Sequence, residues 1–189
     1  MKTLILYIAT AFITLSFTLS PNLPKGWFKA GSKPVNYDMG TDSKVFKTGT
    51  SSAFIASTAK KIKGFGTLMQ TCSAKNYLGK KIKLTGFIKS ENVEKWSGMW
   101  LRIDQPSTNV ALGFDNMQNR PIQGTTDWKQ YEIVLSVPEN ASTLNFGVLL
   151  SGTGKVWFDN MKIEIVGIAE SNTSNHNLLE QPNNLDFEE

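Results

Sequence analysis

Three observations predict an all-β fold, a two-sheet antiparallel β-sandwich of the jelly-roll kind. Apolar and other residues alternate in many short runs, as where Met99, Leu101 and Ile103 interleave with Trp100, Arg102 and Asp104. Gly, Pro, Asn and Asp punctuate these runs at short intervals. No segment sustains a helical period. The 189 residues, 40% hydrophobic and 19% charged, make one globular domain with extensions and exclude a wholly disordered chain.

Residues 1–20 read as a secretory signal peptide. Lys2 supplies the positive end, and Leu4 to Leu19 is apolar apart from Tyr7 and a few Thr and Ser. A retained anchor is the alternative, disfavoured because the run is barely long enough to span a bilayer and is broken by hydroxyls. No Cys follows the run, so a lipid anchor of the usual bacterial kind is not expected, and no stable membrane insertion is expected after cleavage. The expected location is secreted or cell envelope. Cys72 is the only cysteine, so the domain has no internal disulfide and relies on its core. A buried, inert thiol is expected there.

The sandwich is expected over residues 21–168. PNLPKGWFKAGSKP is an irregular opening, with Trp27 and Phe28 plugging one edge of the core. A short strand follows at Val35 to Asp38, then strands in KTGTSSAFIAS and GFGTLMQT. In KKIKLTGFIKS, Ile82 and Leu84 point inward, with Phe87 or Ile88 inward past a bulge at Gly86. Next come two runs, Met99 to Asp104 and Val110 to Asp115, with Leu112 and Phe114 expected in the core. The polar stretch NMQNRPIQGTTD reads as a loop. The strand opening at Trp128 stops at Pro138, with Ile133 and Leu135 inward. Leu144, Phe146 and Val148 face in from the next strand, and Val156, Phe158, Ile163 and Ile165 from the last. About nine short strands result.

Residues 169–189 read as an acidic, polar tail with five acids and no Lys or Arg, expected to be disordered over 170–183, with the last six residues left open. The body keeps about eight more basic than acidic residues once Lys2 is set aside. Its lysines are scattered, so a solvated basic face is expected and nucleic acid is not an expected partner.

The only histidine, His176, lies in the tail, so no Ser-His-Asp or Cys-His arrangement and no His/Cys metal cluster can form in the core. Asp104, Asp115 and Glu132 are read as surface carboxylates, not as a glycosidase pair. No enzyme activity is expected.

GW, YDMGTDSKVFKTGTSSAFI, YLGKKIKLTGFIKS, DWKQYEIVLSVPENASTLNFGVLL and GKVWFDNMKIEIV follow one another in that order. Together they resemble the jelly-roll carbohydrate-binding modules of the galactose-binding-like superfamily, over residues 26–166. Such domains mostly bind and do not catalyse, and many have no known ligand, so the resemblance implies the fold more firmly than the function. The chain departs from the family by lacking an Asn-x-x-Phe-Glu element before Gly26–Trp27. The tail carries Asn184, Phe187 and Glu188 in that kind of pattern. The resemblance also implies a structural Ca²⁺ near the last strand, with Asp159 as candidate ligand and Glu188 as substitute donor.

Two functions are expected on this basis. One is a non-catalytic module of an exported protein that binds carbohydrate or a small polar ligand. The other is a structural or protein-interaction domain of the cell envelope, with an envelope protein as partner. For the first, Trp100 and Arg102, Asp115 and Asn145 from neighbouring strands, and Gln118 and Arg120 from the loop are the candidate binding residues. An indole can stack on the C–H face of a sugar, and an Arg fork can bind hydroxyls.

Overall fold

The structure, a computed structural model, describes residues 22–106 and 110–169. The expected signal segment, His176, Asn184 and Glu188 lie outside the described residues, as does all of the tail but Ala169. Strand is the dominant structure of the described residues, beside which stand only two short 3-10 turns and irregular segments. Nine strands follow in order: β1 (Phe28–Ala30), β2 (Tyr37–Asp42), β3 (Ser52–Ser57), β4 (Phe65–Ser73), β5 (Lys80–Asp104), β6 (Ala111–Asp115), β7 (Ile122–Val137), β8 (Thr143–Ser151) and β9 (Lys155–Ile168). All pairings are antiparallel.

Strand β5 ties two layers together. Its first half, up to Glu91, pairs with β7 on one edge and β9 on the other. Its second half, from Trp96, pairs with β8 on one edge and, from Leu101, with β6 on the other. One layer therefore runs β2-β3-β9-β5-β7 and the other β1-β4-β8-β5-β6. Register shifts between Ile88 and Ser97 mark the bend, where Asn92 takes φ 51°. Sequence alternation predicted two separate strands here; the polar stretch Glu91 to Lys95 is instead a bent continuation.

The layers enclose one core. Alternate residues Ile82, Leu84, Ile88, Met99, Leu101 and Ile103 of β5 are wholly buried. Leu144, Val148 and Leu150 of β8 and Val156 and Phe158 of β9 join them. Trp27 bridges the layers, its ring 5.8 Å from that of Phe146 and 5.6 Å from that of Phe158. The irregularity expected at Gly86 falls on the β9 edge only: pairing with β7 runs regularly through Gly86, but the β5–β9 register shifts between Thr85 and Phe87, with the extra residue on β9 beside Asn160 at φ 51°. Gly86 faces inward in phase with Leu84 and Ile88, and a Cβ there would crowd the sulfur of Met161.

Three expectations are corrected. Phe114 is 54% exposed, not buried. Between Ile103 and Asp104 the β5–β6 register shifts, so Gly113 faces Ile103 and Phe114 faces Arg102. The bulge falls at Leu112, which stays partly buried, and reverses the facing beyond it. Ile165 is 52% exposed, since β9 there runs out towards its end. The polar stretch read as one loop is loop only to Pro121, because β7 begins at Ile122. Ile122 is buried and pairs with Ser97 as β7 follows β5 around the bend.

Phe146→Ala should cost about 3–5 kcal/mol in denaturant melts, and Phe114→Ala under about 1 kcal/mol. Comparable losses at both would contradict the assigned facing.

Candidate ligand-binding cleft

The outer face of the β1-β4-β8-β5-β6 layer carries a cleft of about 620 Å³. Antiparallel register sets its floor in rows, because directly opposed residues share a face. Phe65, Ser151 and Trp96 form one row, and Thr67, Leu149 and Gly98 the next. Met69, Gly147 and Trp100 form the third, and Thr71, Asn145 and Arg102 the fourth. Phe114 continues the fourth row on β6, and Asp104 lies beyond Arg102 on β5.

Two glycines shape the depression. Gly147 lies between Met69 and Trp100, and a Cβ there would run into the backbone of Leu68 and Met69. Gly98 lies between Trp96 and Trp100, where a Cβ would press on the carbonyl oxygen of Asn116 at 2.9 Å. That close approach lets the segment after β6 cross the strand and bring Asn116 to the cleft.

Hydrogen bonds fix the polar groups. The Trp100 indole N–H donates to Thr67 Oγ1 at 2.8 Å, and the Thr67 hydroxyl donates to the Val148 carbonyl at 2.8 Å. Arg102 Nε donates to Asp104 Oδ1 at 2.8 Å. Asn145 Nδ2 donates to Asp104 Oδ2 at 2.8 Å, and the Thr71 hydroxyl donates to Asn145 Oδ1 at 2.6 Å. Four side chains on three strands thus form one chain that holds rotamers in place.

Of the six expected binding residues, three line this cleft: Trp100, Arg102 and Asn145. Asp115, Gln118 and Arg120 do not. Asp115 pairs in register with buried Leu101, on the side turned away from Trp100 and Arg102. There it takes two bonds from the Arg120 guanidinium, at 3.1 and 2.7 Å, and one from the Met117 N–H at 2.8 Å. Arg120 also donates to the Glu132 carbonyl at 3.2 Å, and the Gln118 N–H is bound by Asn116 Oδ1 at 3.1 Å. This latch holds the loop while Met117, at φ 61°, buries its side chain. The sequence reading also left out Trp96, Phe65, Phe114 and Asp104, all of which line the cleft. Trp96 shares the strand parity of Trp100, a usable signal. Phe65 shares the parity of Met69, but only the β4–β8–β5 pairing places it beside Trp96.

Asp159, the expected Ca²⁺ ligand, is engaged by backbone donors. Its carboxylate accepts the N–H groups of Lys47, Thr48 and Asn160 at 2.8, 2.9 and 2.7 Å. Ca²⁺ needs several oxygens converging on one point. Among the described residues no three His, Cys, Asp or Glu side chains do so. Nearby Asp42 is likewise bound by N–H donors, from Lys44, Val45 and Trp157.

Outside the cleft, Lys83, Lys89, Lys155 and Lys162 pair with Glu132, Asp127, Asp42 and Glu164. Acids therefore break up the basic excess. Cys72 is half-buried, and burial pushes its thiol pKa up, away from the reactive thiolate.

The fold is that of the jelly-roll carbohydrate-binding modules. One similar structure is the CBM22-1 xylan-binding domain of Paenibacillus barcinonensis Xyn10C. It is 15% identical at a TM-score of 0.53, covering 79% of this chain and 92% of that one. Enzymes share the fold too. A cyclase from Fischerella sp. TAU, in complex with 4-(1H-indol-3-yl)butan-2-one, is 16% identical at a TM-score of 0.55, covering 79% and 89%. In sequence, the chain is 44% identical over 169 residues to a Bacillus subtilis (strain 168) protein named uncharacterized HTH-type transcriptional regulator YbfP. The match takes in 87% of this chain and 57% of that relative. No family model matches the chain.

The latch makes a pH prediction. Partial burial raises the Asp115 pKa, but the Arg120 and Met117 hydrogen bonds and the Arg120 charge outweigh it, leaving it below the ordinary value. Its contribution to stability is thus present above the unfolded carboxylate pKa, about 4, and is lost as pH falls through the lower folded value. Asp115→Asn should lower stability at pH 7 and flatten the acid-induced loss in melts between pH 7 and 2. An unchanged acid limb would contradict the latch.

Proposed function

We propose that this domain is a non-catalytic carbohydrate-binding module that holds its ligand in the cleft lined by Trp96 and Trp100. One observation carries the reading. Two half-buried indoles stand four residues apart on the outer face of one strand, with a glycine between them and a fixed polar chain alongside. Flat apolar faces beside oriented donors and acceptors suit a pyranose, whose C–H face stacks while its hydroxyls hydrogen-bond. A purely structural sandwich has no need of an open aromatic cleft, so the envelope-spacer alternative gains less support. The xylan-binding module of the same fold lends further support.

Export rests on Lys2 and the apolar run after it. The Bacillus subtilis relative favours a second reading, in which the module senses a ligand for a transcription regulator. N-terminal sequencing after fractionation of the native host separates them. A chain beginning near residue 21 outside the cytoplasm supports export, and an intact Met1 inside it supports the regulator.

Binding at such an open site should fall between about millimolar and micromolar. In affinity electrophoresis through a panel of neutral polysaccharides, Trp96→Ala and Trp100→Ala should each weaken retention by at least tenfold, with thermal melts shifted only a few degrees. Trp100→Phe should keep part of the binding, since it keeps the flat ring. Unaltered retention in both Ala variants, or no binding of the parent protein to any saccharide or glycoside, would overturn the reading.

A further inference from the structure

We propose that the ligand of this cleft is amphipathic, a neutral sugar head carrying an apolar or aromatic substituent. The proposal rests on the carbohydrate reading above and specifies the class of sugar compound.

The floor changes character along the strands. At one end lie Phe65, Leu149 and Trp96, followed by Met69 and Trp100. At the other lie Asn145, Arg102 and Asp104. From Trp96 to Asp104 the strand advances roughly 26 Å, longer than a single sugar ring. A uniform polysaccharide presents the same hydroxyls to every point of its track. A graded floor is complementary instead to a ligand whose own polarity changes along its length.

The hydroxyls at the apolar end are already engaged. Thr67 both accepts from Trp100 and donates to Val148, and Ser151 donates to the Gly64 carbonyl at 3.4 Å. A sugar ring stacked on Trp100 can turn its hydroxyls to Arg102 and Asn145 in the next row, but one seated further on, over Phe65 and Trp96, would lose water from its hydroxyls with poor replacement by these side chains. Phe65 is meanwhile 37% exposed, apolar surface that an alkyl or aryl group would cover.

Neutrality follows from the ionisable lining. Among the described residues, Arg102 and Asp104 are the only ionisable side chains that line the cleft, and they are paired at 2.8 Å. An acidic sugar would compete with Asp104 for the guanidinium, and a basic one would compete with Arg102 for the carboxylate. Asn145, held between Asp104 and Thr71, completes a prearranged polar end for the head group. Phe114 flanks Arg102 on β6 and gives that end one apolar wall.

The test compares methyl, n-hexyl and phenyl glycosides of glucose, galactose, mannose and xylose, in both anomers, with unsubstituted trisaccharides. Binding to the full chain is followed by tryptophan fluorescence. For whichever sugar binds, the hexyl or phenyl glycoside should bind at least tenfold more tightly than the methyl glycoside. Phe65→Ala should erase most of that gain, weakening the hexyl and phenyl glycosides far more than the methyl glycoside, while Asn145→Ala should weaken all three alike. Equal affinity for methyl and hexyl glycosides in the parent protein, with trisaccharides also bound, would overturn this inference and leave the carbohydrate reading standing. Hexanol or phenol binding as tightly as the glycosides would overturn the need for a sugar head. No binding of any sugar compound would overturn both.

Discussion

A strand buried in a sheet has little water to satisfy its N–H and C=O groups, so each edge needs a neighbouring strand. In β5, 25 residues long, four strands meet that demand. No flat strand could pair with all four and still place both its halves over one core. The bend between Ile88 and Ser97 resolves this, and the cleft is a consequence. Beyond the bend, β8 and β6 flank β5 with Trp96, Trp100 and Arg102 turned outward. The face opposite those three residues is Met99, Leu101 and Ile103, all wholly buried. Core and site therefore share one strand, and a register slip by one residue would exchange them.

The cleft also depends on what is missing from its floor. Gly98 and Gly147 sit in rows otherwise filled by large side chains. Their absent side chains let one segment cross over β5 and leave a hollow between Met69 and Trp100. The polar residues gain direction from one another, through Arg102 to Asp104 to Asn145 to Thr71. This ordering precedes ligand, so little side-chain entropy remains to be lost on binding.

Period-two alternation was enough to find the fold class, most core positions, and the outward facing of Trp100, Arg102 and Asn145. It failed at Leu112, because a bulge adds one residue without changing the apolar pattern, and Phe114 and Asp115 exchanged faces. It broke off at Glu91 to Lys95, because a bent, solvent-facing strand segment is as polar as a loop. The grouping of Phe65 with Trp96 was illegible for another reason. It depends on β4 pairing with β8 and β8 with β5, contacts between strands distant in sequence. The loop residues Gln118 and Arg120 carried donors suited to a ligand, but the chain uses them for its own backbone and for Asp115.

Indole N–H resonances offer the most direct measurement of the central claim, that the outer face of the second half of β5 receives the ligand. Five tryptophans give separate signals, and only Trp96 and Trp100 line the cleft. Trp27 sits against Phe146 and Phe158, and Trp157 is buried with its N–H on Asp42. Titration of ¹⁵N-labelled protein with a retained neutral saccharide should move the Trp96 and Trp100 signals in a saturable way and leave those of Trp27, Trp128 and Trp157 in place. Saturable shifts confined to Trp27, Trp128 or Trp157 would put the ligand elsewhere and contradict the account.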